Sequence, residues 1–260
     1  MKQAINQVIK NQIELVKPSS VELWKISIKT KEIIYELQQR LKKKGIGAES
    51  FVGGSVAKNT LIKKDKYDLD IFVRFDKARY NDSEISGLLG KIVPNNAKRT
   101  HGSRDYFSIK SRKGDIEIEI IPVLKIKKPE EAVNTTDLSY FHVNYVKNKL
   151  RTHKKLADEI RLTKAFAYYQ DCYGAESYIN GFSGYAVEVL VIYYGGFLKF
   201  IKAISKINSE QVIDPKRFYK NADDARKKLN VSKTKSPIIL IDPTFKERNA
   251  LASLSSATLM

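Results

Sequence analysis

A chain of 260 residues with 42% hydrophobic content is long enough to bury a sizeable core, and its length falls between one large domain and two small ones. Lys and Arg number 47 against 29 Asp and Glu, a formal net charge of +18, which favours a polyanionic partner, nucleic acid first and an anionic membrane surface second. The single cysteine, Cys172, excludes an internal disulfide framework and fits a reducing compartment, and the apolar run YAVEVLVIYYGGFLKF is broken by Glu188 and a glycine pair before it reaches membrane-spanning length, so a soluble, cytoplasmic protein with no membrane partner is expected.

Residues 3–16 read as a short amphipathic helix. A longer one opens at Ser19 with a capping box to Glu22, carries Trp24, Ile28, Leu37 and Leu41 at helical spacing, and ends at Gly45 and Gly47. Strands are expected at 49–53, 67–75, about 104–110 and 115–126, the last two joined by the turn-like SRKGD. Beyond Pro129 the texture becomes helical through FHVNYVKNKL, KLADEIRLTKAFAYYQDCYG and FSGYAVEVLVIYYGGFLKFIKAISKI, and only SPIILIDP returns to strand character. The expected fold is α+β: a head lobe of mixed sheet and helices over residues 1–145, then a mostly helical central lobe over 146–260.

In YDLDIFV, Asp68 and Asp70 alternate with Leu69 and Ile71, so a strand puts both carboxylates on one face and the apolar pair in the core. Alone, such a pair is a wet strand edge. GDIEIEIIPVLKI adds Asp115, Glu117 and Glu119 at the same alternation, a second acidic row able to face the first across a sheet. Converging carboxylates suit a divalent cation with hard oxygen ligands, such as magnesium. Upstream, Gly53 and Gly54 allow close backbone approach, and Ser55 with the following amides forms an anion cradle. A metal site and a phosphate cradle together point to phosphoryl chemistry.

Gly-Ser, then Asp-x-Asp on a strand, then a later acid resembles the pattern of the DNA polymerase β-like nucleotidyltransferase superfamily. GGSVAKNTLIKKDKYDLDIFV, IEIEIIPVLKI, YFHVNYVKNKL, RLTKAF, YGAESYINGFSGY and IDPTFKERNALASLS, in that order, resemble the archaeal (class I) CCA-adding tRNA nucleotidyltransferases. The resemblance implies a two-magnesium enzyme that adds CMP and AMP from CTP and ATP to the 3′ end of tRNA. It implies Asp68, Asp70 and Glu119 as metal ligands and catalytic carboxylates. It implies contacts to the nucleotide from Gly54, Ser55, Lys58, His142, Lys164, Tyr173, Arg248 and Asn249, with Arg248 the best candidate for reading the base because its planar fork carries five donors.

Three departures bear on these roles. Glu119 stands where the family has Asp, so Asp115 or Glu117 is a candidate to share its role, and Lys58 stands where arginine is common. The chain also stops shortly after RNALASLSS, where the family continues into tRNA-gripping domains. A minimal enzyme, a fragment, and a subunit completed by a partner chain or second copy all fit that reading. Two other functions are carried beside CCA addition: a poly(A)- or poly(U)-type terminal transferase acting on another RNA 3′ end, and a catalytically silent RNA-binding module.

Overall fold

The computed structural model describes residues 2–259 and divides into two compact units. One is Pro18–Val143; the other is Asn144 onward, joined by the N-terminal residues through Lys17. The head expected over residues 1–145 therefore loses its first helix, α1 (Lys2–Val16), to the C-terminal unit.

The sheet unit opens with α2 (Ser20–Lys43), whose capping box forms as read: the Ser19 amide donates to the Glu22 carboxylate at 2.7 Å and the Glu22 amide to Ser19 Oγ at 3.2 Å. Its buried stripe is Ile26, Ile33, Leu37 and Leu41. Trp24, 63% exposed, and Ile28 lie off that stripe and are not core residues, contrary to the spacing argument: the stripe of four is the face the helix buries. Then follow β1 (Ala48–Val52), α3 (Gly54–Lys58), β2 (Tyr67–Asp76), α4 (Asp82–Gly90), β3 (Lys98–Thr100), β4 (Tyr106–Lys110) and β5 (Ile116–Lys125).

These five strands form one sheet in the order β1-β2-β5-β4-β3, with β2 and β5 parallel and the other pairs antiparallel. Leu69, Ile71, Val73 and Phe75 on β2 and Ile118 and Ile120 on β5 are fully buried, so the alternation read from sequence is the alternation of the sheet. β4 starts at Tyr106 and not near 104 because Arg104 turns inward. Its guanidinium is buried against Asp137 (2.6 Å) and Asp82 and donates to the Pro122 carbonyl (3.2 Å), while Asp137 also accepts from the Leu124 amide at 2.7 Å. A buried ion pair whose remaining lone pairs are filled in this way fixes the end of β5 against the following turn.

In the C-terminal unit, α5 (Ser139–Thr152), whose first residues still belong to the sheet unit, leads into α6 (Leu156–Tyr169), α7 (Gly184–Tyr194) and α8 (Phe197–Ile204). The long apolar run breaks between α7 and α8 because Gly195 and Gly196 take φ of +76° and +132°. β6 (Gln211–Ile213), α9 (Ala222–Lys228), β7 (Ile238–Asp242), β8 (Phe245–Asn249) and α10 (Ser256–Leu259) complete the chain. SPIILIDP is a strand as expected, but it is the centre of a three-stranded sheet, parallel to β6 and antiparallel to β8. Those edge strands are short: β6 is only Gln-Val-Ile, and β8 is mostly charged, FKERN, with no apolar alternation. Helix α1 packs on α6, its Ile9, Ile13 and Val16 are partly buried, and Lys17 pairs with Asp158 at 3.1 Å. No helix among the described residues is long and apolar enough to cross a membrane.

Candidate active site

The parallel pairing of β2 with β5 sets Asp70 directly opposite Glu119 and Asp68 opposite Glu117. Paired positions on adjacent strands lie about 4.8 Å apart, so the two acidic rows share one face of the sheet. Asp68 is the outermost, its side chain 63% exposed and 3.8 Å from Lys64 Nζ. Glu119 is felt by its neighbour Tyr106, whose phenol is raised above its ordinary value first by burial and then by the Glu119 charge. Asp115 does not belong to this row. Its Oδ1 accepts from Ser111 Oγ at 2.7 Å, which closes the turn before β5 and holds its carboxyl below the usual range.

The glycine turn is built around the same acids. The Gly53 amide donates to the Asp70 carbonyl at 2.8 Å, and a Cβ on Gly53 would run into the Phe72 ring. Gly54 adopts φ +54°, and a Cβ there would overlap the Asp70 carboxylate. Both glycines are therefore required, one for space and one for space and backbone conformation. Ser55 follows in the first turn of α3, half-buried, and Lys58 is buried in its last turn. His142 is half-buried on α5. Two residues earlier, Tyr140 meets Phe51 edge-on at 5.5 Å and lies 4.0 Å from the Arg74 guanidinium, while Phe51 stacks on Phe72 at 5.2 Å. That aromatic series anchors the YFH segment beside the acid-bearing strand.

Hard carboxylate oxygens on one face suit magnesium in kind. As their side chains stand, no three of the described His, Cys, Asp or Glu residues are gathered into a metal-holding group. The register supplies the candidate ligands Asp68, Asp70 and Glu119; the glycine turn supplies room beside Asp70.

The remaining predicted residues lie in the C-terminal unit. Lys164 is 2% exposed, and its Nζ donates to Glu188 Oε1 at 2.7 Å, a carboxylate that is itself fully buried. Tyr173 bridges to Phe182 across the YGAE and GFSG segments, and its hydroxyl lies over Gly184, where a Cβ would displace it. Arg248 is partly exposed on β8 and donates from Nη1 to Asp242 Oδ2 at 2.8 Å. Asn249 is not available to a nucleotide. It is 4% exposed, its Oδ1 accepts from the Leu240 and Leu251 amides, and its Nδ2 donates to the Lys233 carbonyl and Ser236 Oγ, which fills all four of its bonds. It holds β7 to the turn before it.

Sequence reasoning missed Glu188, Asp242, Tyr106 and Tyr185. Glu188 carried a legible signal, since a lone acid in the apolar helix YAVEVLVIYY needs a buried partner. The other three depend on which elements become neighbours, and no local pattern announces that.

Residues 3–161 match a family model described as the Second Messenger Oligonucleotide or Dinucleotide Synthetase domain, and residues 158–260 match one described as the second domain of tRNA nucleotidyltransferase. The chain is 42% identical over 208 residues to the CCA-adding enzyme of Nanoarchaeum equitans, covering 79% of this chain and 51% of that one. It is 31% identical to the CCA-adding enzyme of Methanocaldococcus jannaschii, covering 96% and 56% respectively. The chain thus spans about half the length of the curated relatives it matches. Among solved structures, the Cid1 poly(U) polymerase with magnesium and 3′-dATP superposes with a TM-score of 0.74 at 14% identity, covering 100% of this chain and 91% of that one. The CdnC protein of E. coli MS115-1 with ATP superposes at 0.70 and 16%, covering 97% and 86%. At such identities these likenesses establish the nucleotidyltransferase fold.

Proposed function

The chain belongs to the archaeal CCA-adding tRNA nucleotidyltransferase family, and from that premise we propose that it transfers CMP and AMP from CTP and ATP to the 3′ end of tRNA in the cytoplasm. The observation that carries this reading is the placement of Asp70 opposite Glu119, beside a Gly54 that leaves no room for any side chain. Transfer joins the RNA 3′-oxygen to the α-phosphorus of the nucleotide and releases pyrophosphate, so no protein nucleophile is called for.

Asp68, Asp70 and Glu119 would hold magnesium, which when bound, as two ions, neutralises phosphate charge and acidifies a hydroxyl. Ser55 and the Gly54 turn would orient the triphosphate, with Lys58 and His142 from the same unit. Lys164, held by Glu188, and Tyr173 would do so from the C-terminal unit. Catalytic power would then come from orientation and charge neutralisation. Arg248 would read the base edge with the donors that Asp242 leaves. The +18 net charge supports a phosphate-rich acceptor, tRNA or another RNA 3′ end.

The test is incorporation with magnesium and tRNAs that end at the discriminator base, after the first C and after the second, each nucleoside triphosphate being supplied singly and together. Ordered addition of C, C and A with arrest supports the proposal, and open-ended tails of one nucleotide overturn it in favour of a tailing enzyme. A second reading, synthesis of a short oligonucleotide or dinucleotide without an RNA acceptor, is favoured by the domain model matching residues 3–161. The same reactions without RNA discriminate it: small products would support it.

A further inference from the structure

We infer that Asp242 is the positioning residue for nucleotide choice, fixing the Arg248 fork so that its outer edge presents a set pattern of donors to the base; this rests on the function proposed above. The sequence makes the element locally. Asp242 ends β7 at a bulge, and Thr244, two residues on, donates to Asp242 Oδ1 from its amide at 2.8 Å and from Oγ1 at 2.7 Å, a side-chain turn that shapes the hairpin into β8. Tyr185 on α7 adds a third donor to Oδ1 at 2.9 Å. Oδ1 thus serves the turn and Tyr185, and Oδ2 accepts from Arg248 Nη1 at 2.8 Å.

The two oxygens divide the labour. An asparagine would serve the turn and accept from Tyr185 equally well, since both need only one neutral acceptor. A carboxylate with 0% exposure is tolerated only when a cation compensates it, and Arg248 stands there. The hairpin needs only a neutral acceptor at 242, and the charge there is met by Arg248. The charge is also felt nearby: Tyr185 is raised well above its ordinary value by burial first and then by Asp242, and Tyr145 is pushed up by burial and then by the same carboxylate.

Arg248 is held on two sides. Asp242 takes Nη1, and the Tyr185 ring lies 5.9 Å from the guanidinium carbon. Its side chain is 23% exposed, and its Nε and Nη2 have no partner among the described residues. A fork with one edge anchored and the other open loses little rotamer entropy on meeting a ligand, and its angle is set before the ligand arrives. That is what discrimination between base edges needs, because an acceptor misplaced by an ångström forfeits the bond.

The experiment measures kcat/KM for CTP, UTP, ATP and GTP on a tRNA acceptor, with thermal unfolding of each variant in parallel. Asp242→Asn keeps the turn and removes the charge at Oδ2; it is expected to lower the preference for CTP over UTP by about tenfold or more. Arg248→Ala is expected to lower it at least as far, and the double variant no further than Arg248→Ala alone, because Asp242 acts through Arg248. Tyr185→Phe leaves Oδ2 in place and is expected to change the preference less than Asp242→Asn. A folded Asp242→Asn protein with unchanged preference, or losses that add in the double variant, overturns the inference while leaving nucleotidyl transfer intact. A wild-type protein that transfers no nucleotide overturns the proposed function and this inference with it.

Discussion

The charged groups of the candidate site are set differently in the two units. In the sheet unit the acids stand on the open face of one strand pair, Asp68 well exposed, and what brings them together is backbone register. In the C-terminal unit the charged groups are drawn inside against opposite charge, Lys164 beside Glu188 and Asp242 beside Arg248. A face that is to receive cations gains from carboxylates within reach of solvent, as Asp68 is, whereas groups that orient a nucleotide gain from being locked before it binds. Stability and function are therefore coupled differently in the two units. Asp68, well exposed, can be exchanged with little cost to the fold, but the buried pairs cannot.

Four substitutions or conditions sharpen that contrast. Glu188→Ala should have the largest effect on stability, about 3–5 kcal/mol, because it leaves a buried ammonium without its carboxylate; urea unfolding read alongside Lys164→Met/Glu188→Leu, which removes both charges and should recover most of the loss, checks it. Gly54→Ala should lower nucleotide transfer roughly a hundredfold by pushing the Asp70 carboxylate aside. Its unfolding midpoint should fall by only the strain of a left-handed residue, about 1–2 kcal/mol. Asn249→Ala should destabilise by about 1–3 kcal/mol by orphaning the buried Leu240 and Leu251 amides, with transfer by the protein that remains folded unchanged. If transfer fails in that folded fraction, Asn249 touches the nucleotide after all.

The smallest effect is one of pH. Tyr145 is pushed from 10.0 up to about 12, chiefly by burial, so the fold favours its neutral form. That contribution is fully present below pH 10 and is lost as pH rises through about 12. Tyrosinate absorbance should show one phenol titrating late, and Tyr145→Phe should flatten the alkaline loss of stability over that window.

What was legible in the sequence follows the same division. Strand alternation is local, so YDLDIFV and IEIEIIPV announced both acidic rows and the core beneath them, and GGS announced the turn that fits against Asp70. The alternation could not say that Asp115, one residue before β5, would be spent on Ser111. It also could not say that α1 would leave the head for α6, because an amphipathic helix states that it has a buried face and not where that face goes. Asn249 looked like a site residue from its motif and proved to be a strand lock, since the partners of a buried amide come from elements far along the chain. The strands flanking SPIILIDP were invisible because QVI on β6 is too short to show a period and FKERN on β8 is mostly charged.

The most direct test of the division sets Asp70→Asn beside Arg248→Ala in one incorporation assay with each of the four nucleoside triphosphates. The account predicts that Asp70→Asn loses transfer of every nucleotide alike, by about a thousandfold or more, and that Arg248→Ala still transfers but chooses poorly. Loss of choice in Asp70→Asn with rate retained, or uniform loss of rate in both variants with choice intact, would contradict it.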